Sequence, residues 1–269
     1  MSFTVDILPA FTDNYIYLVG DSDLGLAMVV DPGDADVVLR ALKKRDLYLS
    51  LILNTHHHKD HIGGNAKLAR EYGAPIIGPA KEQSRIENMA RGVEKGDFVT
   101  FSTLRGHVIE THGHTSGHIA FHFPEIGALF CGDTLFSLGC GRLFEGTAAQ
   151  LWQSLMSLRS LPDETLVYCG HEYTEANAKF ALAVDKNNPA LQARAVEAGE
   201  LRRKGKPTLP ARLGEEKRVN PFLRADEPAF QQALAKSGFQ VHDADPAAIF
   251  GTLRAAKDRF NAQQPQGGA

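Results

Sequence analysis

Residues 55–61 read Thr55-His56-His57-His58-Lys59-Asp60-His61, and they follow the run 49–53, apolar but for Ser50. A short continuous apolar run is the pattern of a strand buried on both faces. Four imidazoles and a carboxylate therefore leave the carboxyl end of a buried strand. In extended backbone His56 and His58 share one side and His57 takes the other. Two same-side imidazoles suit chelation of a borderline divalent cation such as zinc. Asp60 and His61 come on the turn beyond, and a second cation is their natural use. Gly63 and Gly64 allow backbone to approach closely behind the cluster.

The same arrangement recurs outward along the chain. His112-Gly113-His114 follows a strand-like stretch at 107–110, Gly132-Asp133 follows 128–131, and Gly170-His171 follows 165–168. Each places a potential ligand beside a glycine at a strand's carboxyl end, where layered α/β folds build their sites. Taken singly, Asp133 is an ordinary turn residue and His171 a cap. Four strand-end signals directed to one edge outweigh those readings. His57, His107, His122 and His242 are assigned structural or solvated roles, and His118 that of a partner orienting a ligand.

Further strands are expected at 4–10, 15–19, 26–30, 75–78, 99–101 and 119–123, with helices after a cap at Asp34 or Asp36, at 66–71 and at 151–158. Strands alternate with helices yet also run in succession, which favours layered sheets flanked by helices. Beyond residue 176 the texture is rich in Ala, Leu, Glu and Arg, with helices expected at 175–184, 191–203, 228–236 and 246–260. Residues 205–221 read as an irregular, basic connection, and the tail 263–269 as disordered. Two units result, 1–172 of mixed α/β type and 173–269 of helical type.

The 269 residues carry 29 basic and 32 acidic side chains, a net charge of −3 that excludes a highly basic nucleic-acid binder. Cys131, Cys140 and Cys169 form no CxxC pair and suit a reducing compartment. Asp6, Pro9 and Asp13 interrupt any signal-peptide core, and the apolar runs are too short to span a bilayer. A cytoplasmic protein is expected.

His56, His58, Asp60 and His61 resemble the HxHxDH motif of the metallo-β-lactamase superfamily. The resemblance narrows to the glyoxalase II (hydroxyacylglutathione hydrolase) family. It does so through Thr111-His112-Gly113-His114-Thr115-Ser116-Gly117-His118, Gly132-Asp133-Thr134-Leu135-Phe136 and Gly139-Cys140-Gly141-Arg142. It continues through Tyr168-Cys169-Gly170-His171-Glu172-Tyr173-Thr174 and Asn220-Pro221-Phe222-Leu223-Arg224 to Lys257-Asp258-Arg259-Phe260. It implies an αββα sandwich as catalytic domain (1–172), followed by a helical substrate-binding domain (173–269).

The resemblance also implies two divalent cations, zinc foremost, with iron or manganese as alternatives. His56, His58 and His114 would hold the first, Asp60, His61 and His171 the second, and Asp133 would bridge them. Asp60 and Asp133 are then the catalytic carboxylates beside a metal-bridging hydroxide, which attacks the carbonyl of a thioester. The leaving thiolate, from a thiol of pKa about 8.5, departs without a general acid. Arg142, Phe144, Tyr173, Arg254 and Lys257 match the positions that hold glutathione. Some relatives have lysine and tyrosine where this chain has Arg142 and Phe144, so the charge is kept and a hydroxyl is lost. Arg254 and Lys257 share a helix face, which spacing alone reads as solvated.

The implied reaction is hydrolysis of S-D-lactoylglutathione to D-lactate and glutathione, the second step of methylglyoxal detoxification. It calls for a small-molecule substrate, no nucleic-acid or membrane partner, and a monomer. Alternatives in the superfamily are a one-iron glutathione persulfide dioxygenase and an RNA-processing nuclease. Residues 190–224 hold nine Arg or Lys against four Glu, which favours the nuclease, and the net charge of −3 disfavours it. A non-enzymatic metal-binding module would need a closed site.

Overall fold

The computed structural model describes residues 2–239 and 245–263, so His242 and the tail 264–269 lie outside the described residues. Two six-stranded sheets form the centre of the first unit. In the first sheet β1 (Phe3–Ala10), β2 (Asn14–Asp21) and β3 (Leu26–Val30) pair antiparallel. β4 (Tyr48–Leu53), β5 (Ile76–Pro79) and β6 (Met89–Val93) then continue in parallel. In the second sheet β7 (Phe98–Phe101), β8 (Leu104–Glu110), β9 (Ile119–Phe123) and β10 (Ala128–Gly132) form an antiparallel meander. A two-stranded ribbon, β11 (Leu135–Phe136) and β12 (Gly139–Cys140), follows. β13 (Leu166–Cys169) and β14 (Ala211–Arg212) complete the second sheet.

Alternation along β2 shows why the sheets stack. Tyr15, Tyr17 and Val19 face the core shared with the second sheet, while Ile16 and Leu18 join a separate cluster with α1 (Ala35–Arg45) and α3 (Asn65–Tyr72). A strand buried on both faces carries apolar residues at every position, and β2 is buried throughout. In β4 one irregularity in the pairing with β3, at Ser50, lets Leu49 and Ile52 face the helices while Leu51 and Leu53 face the second sheet. The short α2 (Lys59–Ile62) lies between β4 and α3. Asp34 caps α1 by accepting from the N–H groups of Asp36 and Val37.

The other outer layer and the C-terminal unit are helical: α4 (Ala148–Arg159), α5 (Thr174–Val184), α6 (Pro189–Arg203), α7 (Leu213–Val219), α8 (Pro228–Lys236) and α9 (Pro246–Gln263). The result is an αββα sandwich followed by helices. Three features depart from the sequence reading. β6 went unread because Arg91 and Gly92 break its apolar run. The ribbon β11–β12 is too short to leave a pattern. The stretch 205–221, read as irregular, contains β14 and α7, so the helical unit returns a strand to the second sheet.

Candidate metal centre

The two sheets meet at their strand ends. The Tyr15 N–H donates to the Gly170 carbonyl (2.8 Å), the Glu172 N–H to Asp13 (2.8 Å), and the Ile119 N–H to Thr55 (3.0 Å). These bonds bring the loop after β4, the turn after β8 and the residues following β10 and β13 to one place. The approach depends on glycine: a Cβ on Gly33 would stand 1.9 Å from the Asp60 carbonyl oxygen, and one on Gly64 2.4 Å from that of Pro32.

Ligand-type atoms gather there in groups. His56, His58 and His114 form one; Asp60, His61 and His171 form another. In the first, His58 Nδ1 lies 3.0 Å from His56 Nε2 and 3.1 Å from His114 Nε2. In the second, the Nε2 atoms of His61 and His171 are 3.3 Å apart, and each is 3.5 Å from Asp60 Oδ2. Asp133 stands between the groups, 3.4 Å from His114, 3.5 Å from His61 and 3.3 Å from His171. A third grouping, Asp31 with His56 and His61, is geometric only. The Asp31 oxygens are already occupied by the Thr55 N–H (2.8 Å), the Thr55 hydroxyl (2.7 Å) and His61 Nδ1 (3.1 Å).

The outer ring nitrogens are spoken for. His114 Nδ1 faces the Arg142 carbonyl (3.0 Å) and His171 Nδ1 faces Asp13 (2.9 Å), while His61 Nδ1 faces Asp31. Each acceptor takes the Nδ1 side of its ring and so turns Nε2, the nitrogen a cation would use, inward. Burial and the neighbouring imidazoles push His56 far below its ordinary value and His58 to about 4; burial also lowers His114. On the other side burial is outweighed: Asp133 with Asp31 holds His61 up, and Asp133 with Asp13 raises His171 to about 10. Burial acts to raise Asp60, yet His61 and the Asn14 amide (2.8 Å) hold it low. Asp133 Oδ1 is buried with no hydrogen-bond partner. An orphaned carboxylate oxygen among inward-facing ring nitrogens fits divalent cations.

Asp13, Asn14 and Asp31, which the sequence reading did not single out for the site, hold His171, Asp60 and His61 in place. The one signal for them was position, at strand ends directed to the same edge. His118, expected to orient a ligand, accepts the Asp133 backbone N–H (3.1 Å) and is itself held by Thr111 and Thr134. His112 points to Lys81 and Glu110 instead of the cluster. His107 and His122 pair across β8 and β9.

A cavity of about 610 Å³ opens from His114 and Asp133, and all of Arg142, Phe144, Tyr173, Arg254 and Lys257 line it. Lys179 adds a cation that the sequence reading did not single out. Arg254 and Lys257 are each only 3% exposed, so their face of α9 is packed against the cavity and is not solvated. Burial beside Arg254 pulls Lys257 down to about 7. Tyr173 stacks on His171 with parallel rings 4.8 Å apart, and the exposed Phe144 ring packs on His58 and His114. The three cysteines are buried and free of disulfides; burial pushes Cys140 up to about 11.

Comparison with known proteins gives consistent findings. A family model described as metallo-beta-lactamase superfamily matches residues 10–171, and one described as hydroxyacylglutathione hydrolase C-terminus matches 172–260. A hydroxyacylglutathione hydrolase of Rhodospirillum rubrum is 51% identical over 96% of this chain and 99% of its own length. One from a Synechococcus species is 48% identical over 94% and 98%. Among solved structures, ETHE1 from Myxococcus xanthus superimposes with a TM-score of 0.64 at 28% identity, covering 96% of this chain and 98% of that one. The protein TTHA1623, in a di-iron-bound form, gives 0.57 at 28% identity over 82% and 100%.

Proposed function

This chain belongs to the hydroxyacylglutathione hydrolase family of the metallo-β-lactamase superfamily, and from that premise we propose that it hydrolyses S-D-lactoylglutathione at a centre of two divalent cations. The observation that carries the reading is the orphaned Asp133 oxygen set between two groups of inward-facing ligands, at the foot of a cation-walled cavity. His56, His58 and His114 would hold one cation, Asp60, His61 and His171 the other, with Asp133 shared. The ligand set accepts zinc, iron and manganese, and we propose zinc as the resident metal. Such a pair supplies a nucleophile at neutral pH and polarises a carbonyl.

The chain's own residues do the rest. Arg142, Arg254 and Lys257 face the carboxylates of the glutathione portion, and the low exposure of the last two strengthens each charged contact. Tyr173 and Phe144 wall the path between that portion and the ligand groups, limiting water at the thioester. Asp60, held low by His61 and Asn14, stays ionised as a ligand and is a poor base. A thiolate leaving group needs no proton, so the reading calls for no general acid.

We read 1–172 as the catalytic unit and 173–269 as the unit supplying Tyr173, Arg254 and Lys257. The cavity is completed within one chain, and we propose a monomer. Among the described residues no helix is long and apolar enough to cross a membrane. Buried free thiols suit a reducing cytoplasm. The test is D-lactate release from S-D-lactoylglutathione by native protein and by Asp133→Ala. Activity in the native protein and its loss in a folded variant support the reading; equal activity in both refutes it.

A further inference from the structure

His57 has no place among the ligands, yet it is held. Its Nδ1 lies 2.8 Å from Glu82 Oε2 and its Nε2 3.8 Å from Glu145. Glu82 is wholly buried, on the single helical turn Ala80–Glu82 that follows β5. Its second oxygen accepts from the Thr115 hydroxyl and the Gly117 N–H (3.1 Å). A carboxylate is retained out of water only where donors replace its hydration, and here each donor comes from a ligand-bearing loop. His57 sits between His56 and His58; Thr115 adjoins His114. A Cβ on Gly117 would stand 2.5 Å from Glu82 Cγ, so this approach needs glycine.

Neighbouring residues extend the clasp. Arg85 bonds Glu145 through both terminal nitrogens (3.0 and 2.6 Å), and Glu145 also accepts the Ser116 N–H (2.9 Å). Residues 82–85 thus tie together the loops at 56–58, 114–117 and 145. None of these side chains faces the cavity that takes substrate.

We infer that Glu82, acting through His57 and the 115–117 turn, is a positioning residue that sets the spacing of His58 and His114 and so the affinity of the imidazole group for its cation. The inference rests on the proposed metal centre. Outer partners of ligands typically change metal affinity ten- to a hundredfold when removed. Glu82 differs from the usual case in reaching two loops at once without touching a ligand ring.

The experiment uses zinc-loaded full-length protein and follows zinc release to a chromogenic chelator. The variants are Glu82→Gln and His57→Phe; the second keeps a planar ring at a mostly buried side chain while removing the nitrogen that meets Glu82, and keeps the test decisive if the first fails to fold. The expected result is two release phases in the native protein, one of which quickens about tenfold or more in the variants while the other is unchanged. Unchanged release in both phases overturns the inference. So does equal acceleration of both phases, or a lowered melting temperature of the stripped variant with native release, since either marks a merely structural role. Native protein that holds no zinc would instead refute the metal centre itself.

Discussion

The two halves of the centre are built from opposite chemistry. His56, His58 and His114 are three imidazoles kept uncharged by burial and by the imidazoles around them, and they offer lone pairs only. Asp60, His61 and His171 sit among the carboxylates of Asp13, Asp31 and Asp133, which hold His61 and His171 up. The first half would bind a cation through neutral donors in fixed positions, the second through negative charge as well. Their supports also differ. Segment 82–85 braces the imidazole half, while the turn before β2 and the end of β3 brace the carboxylate half. Geometry is therefore the vulnerable property of one half and charge that of the other.

Asp133 belongs to both, so its loss should erase the contrast. Asp133→Ala is expected to reduce kcat/KM at least about a thousandfold, because a cation contributes several kcal/mol to the transition state and each 1.4 kcal/mol is tenfold. Elemental analysis of the same sample checks that metal is lost. Asp31→Asn should strike the carboxylate half first, since it reaches His61 directly and His56 only through the Thr55 hydroxyl. It removes an acceptor from His61 and Thr55, and about a ten- to hundredfold drop in affinity for one of two cations is expected in a competition titration.

Lys257 sharpens the comparison from the substrate side. Lowered to about 7 by burial and by Arg254, it is charged below that pH and neutral above it. KM for the thioester should rise as pH climbs from about 7 to 9, with kcat little changed. Lys257→Met should show the raised KM, about tenfold, at every pH, since a charged hydrogen bond contributes about 1.5–3 kcal/mol. A KM that falls with rising pH in the native protein would contradict this. Phe144→Tyr is expected to change least, within about a factor of three in KM, because its exposed ring meets His58 and His114 by packing alone.

Much of the fold was legible because β2, β4 and β10 carry apolar runs with distinct period or length, and Asp34 and Gly73 mark helix ends chemically. β6 and β14 were not legible: one holds Arg91 and Gly92, the other is two residues long and is stabilised by its partner strand. The side chains that gather at the centre were readable because histidines cluster in sequence and follow strands. Asp13, Asp31 and Glu82 were not, since a carboxylate that orients an imidazole from a distant segment has the local sequence of any turn. Spacing alone reads Arg254 and Lys257 as a solvated face, because the reach of their side chains to β12 and α5 is a tertiary fact; Arg254 donates to the Cys140 carbonyl (2.9 Å) and Lys257 to that of Ala176 (2.8 Å).

The most direct test titrates zinc into metal-stripped protein while following both bound metal and hydrolysis of S-D-lactoylglutathione on the same sample. The account predicts that binding saturates at about two ions per chain and that activity, absent at the start, rises with occupancy. Full thioester hydrolysis by the stripped protein, or saturation without any hydrolysis, would contradict it.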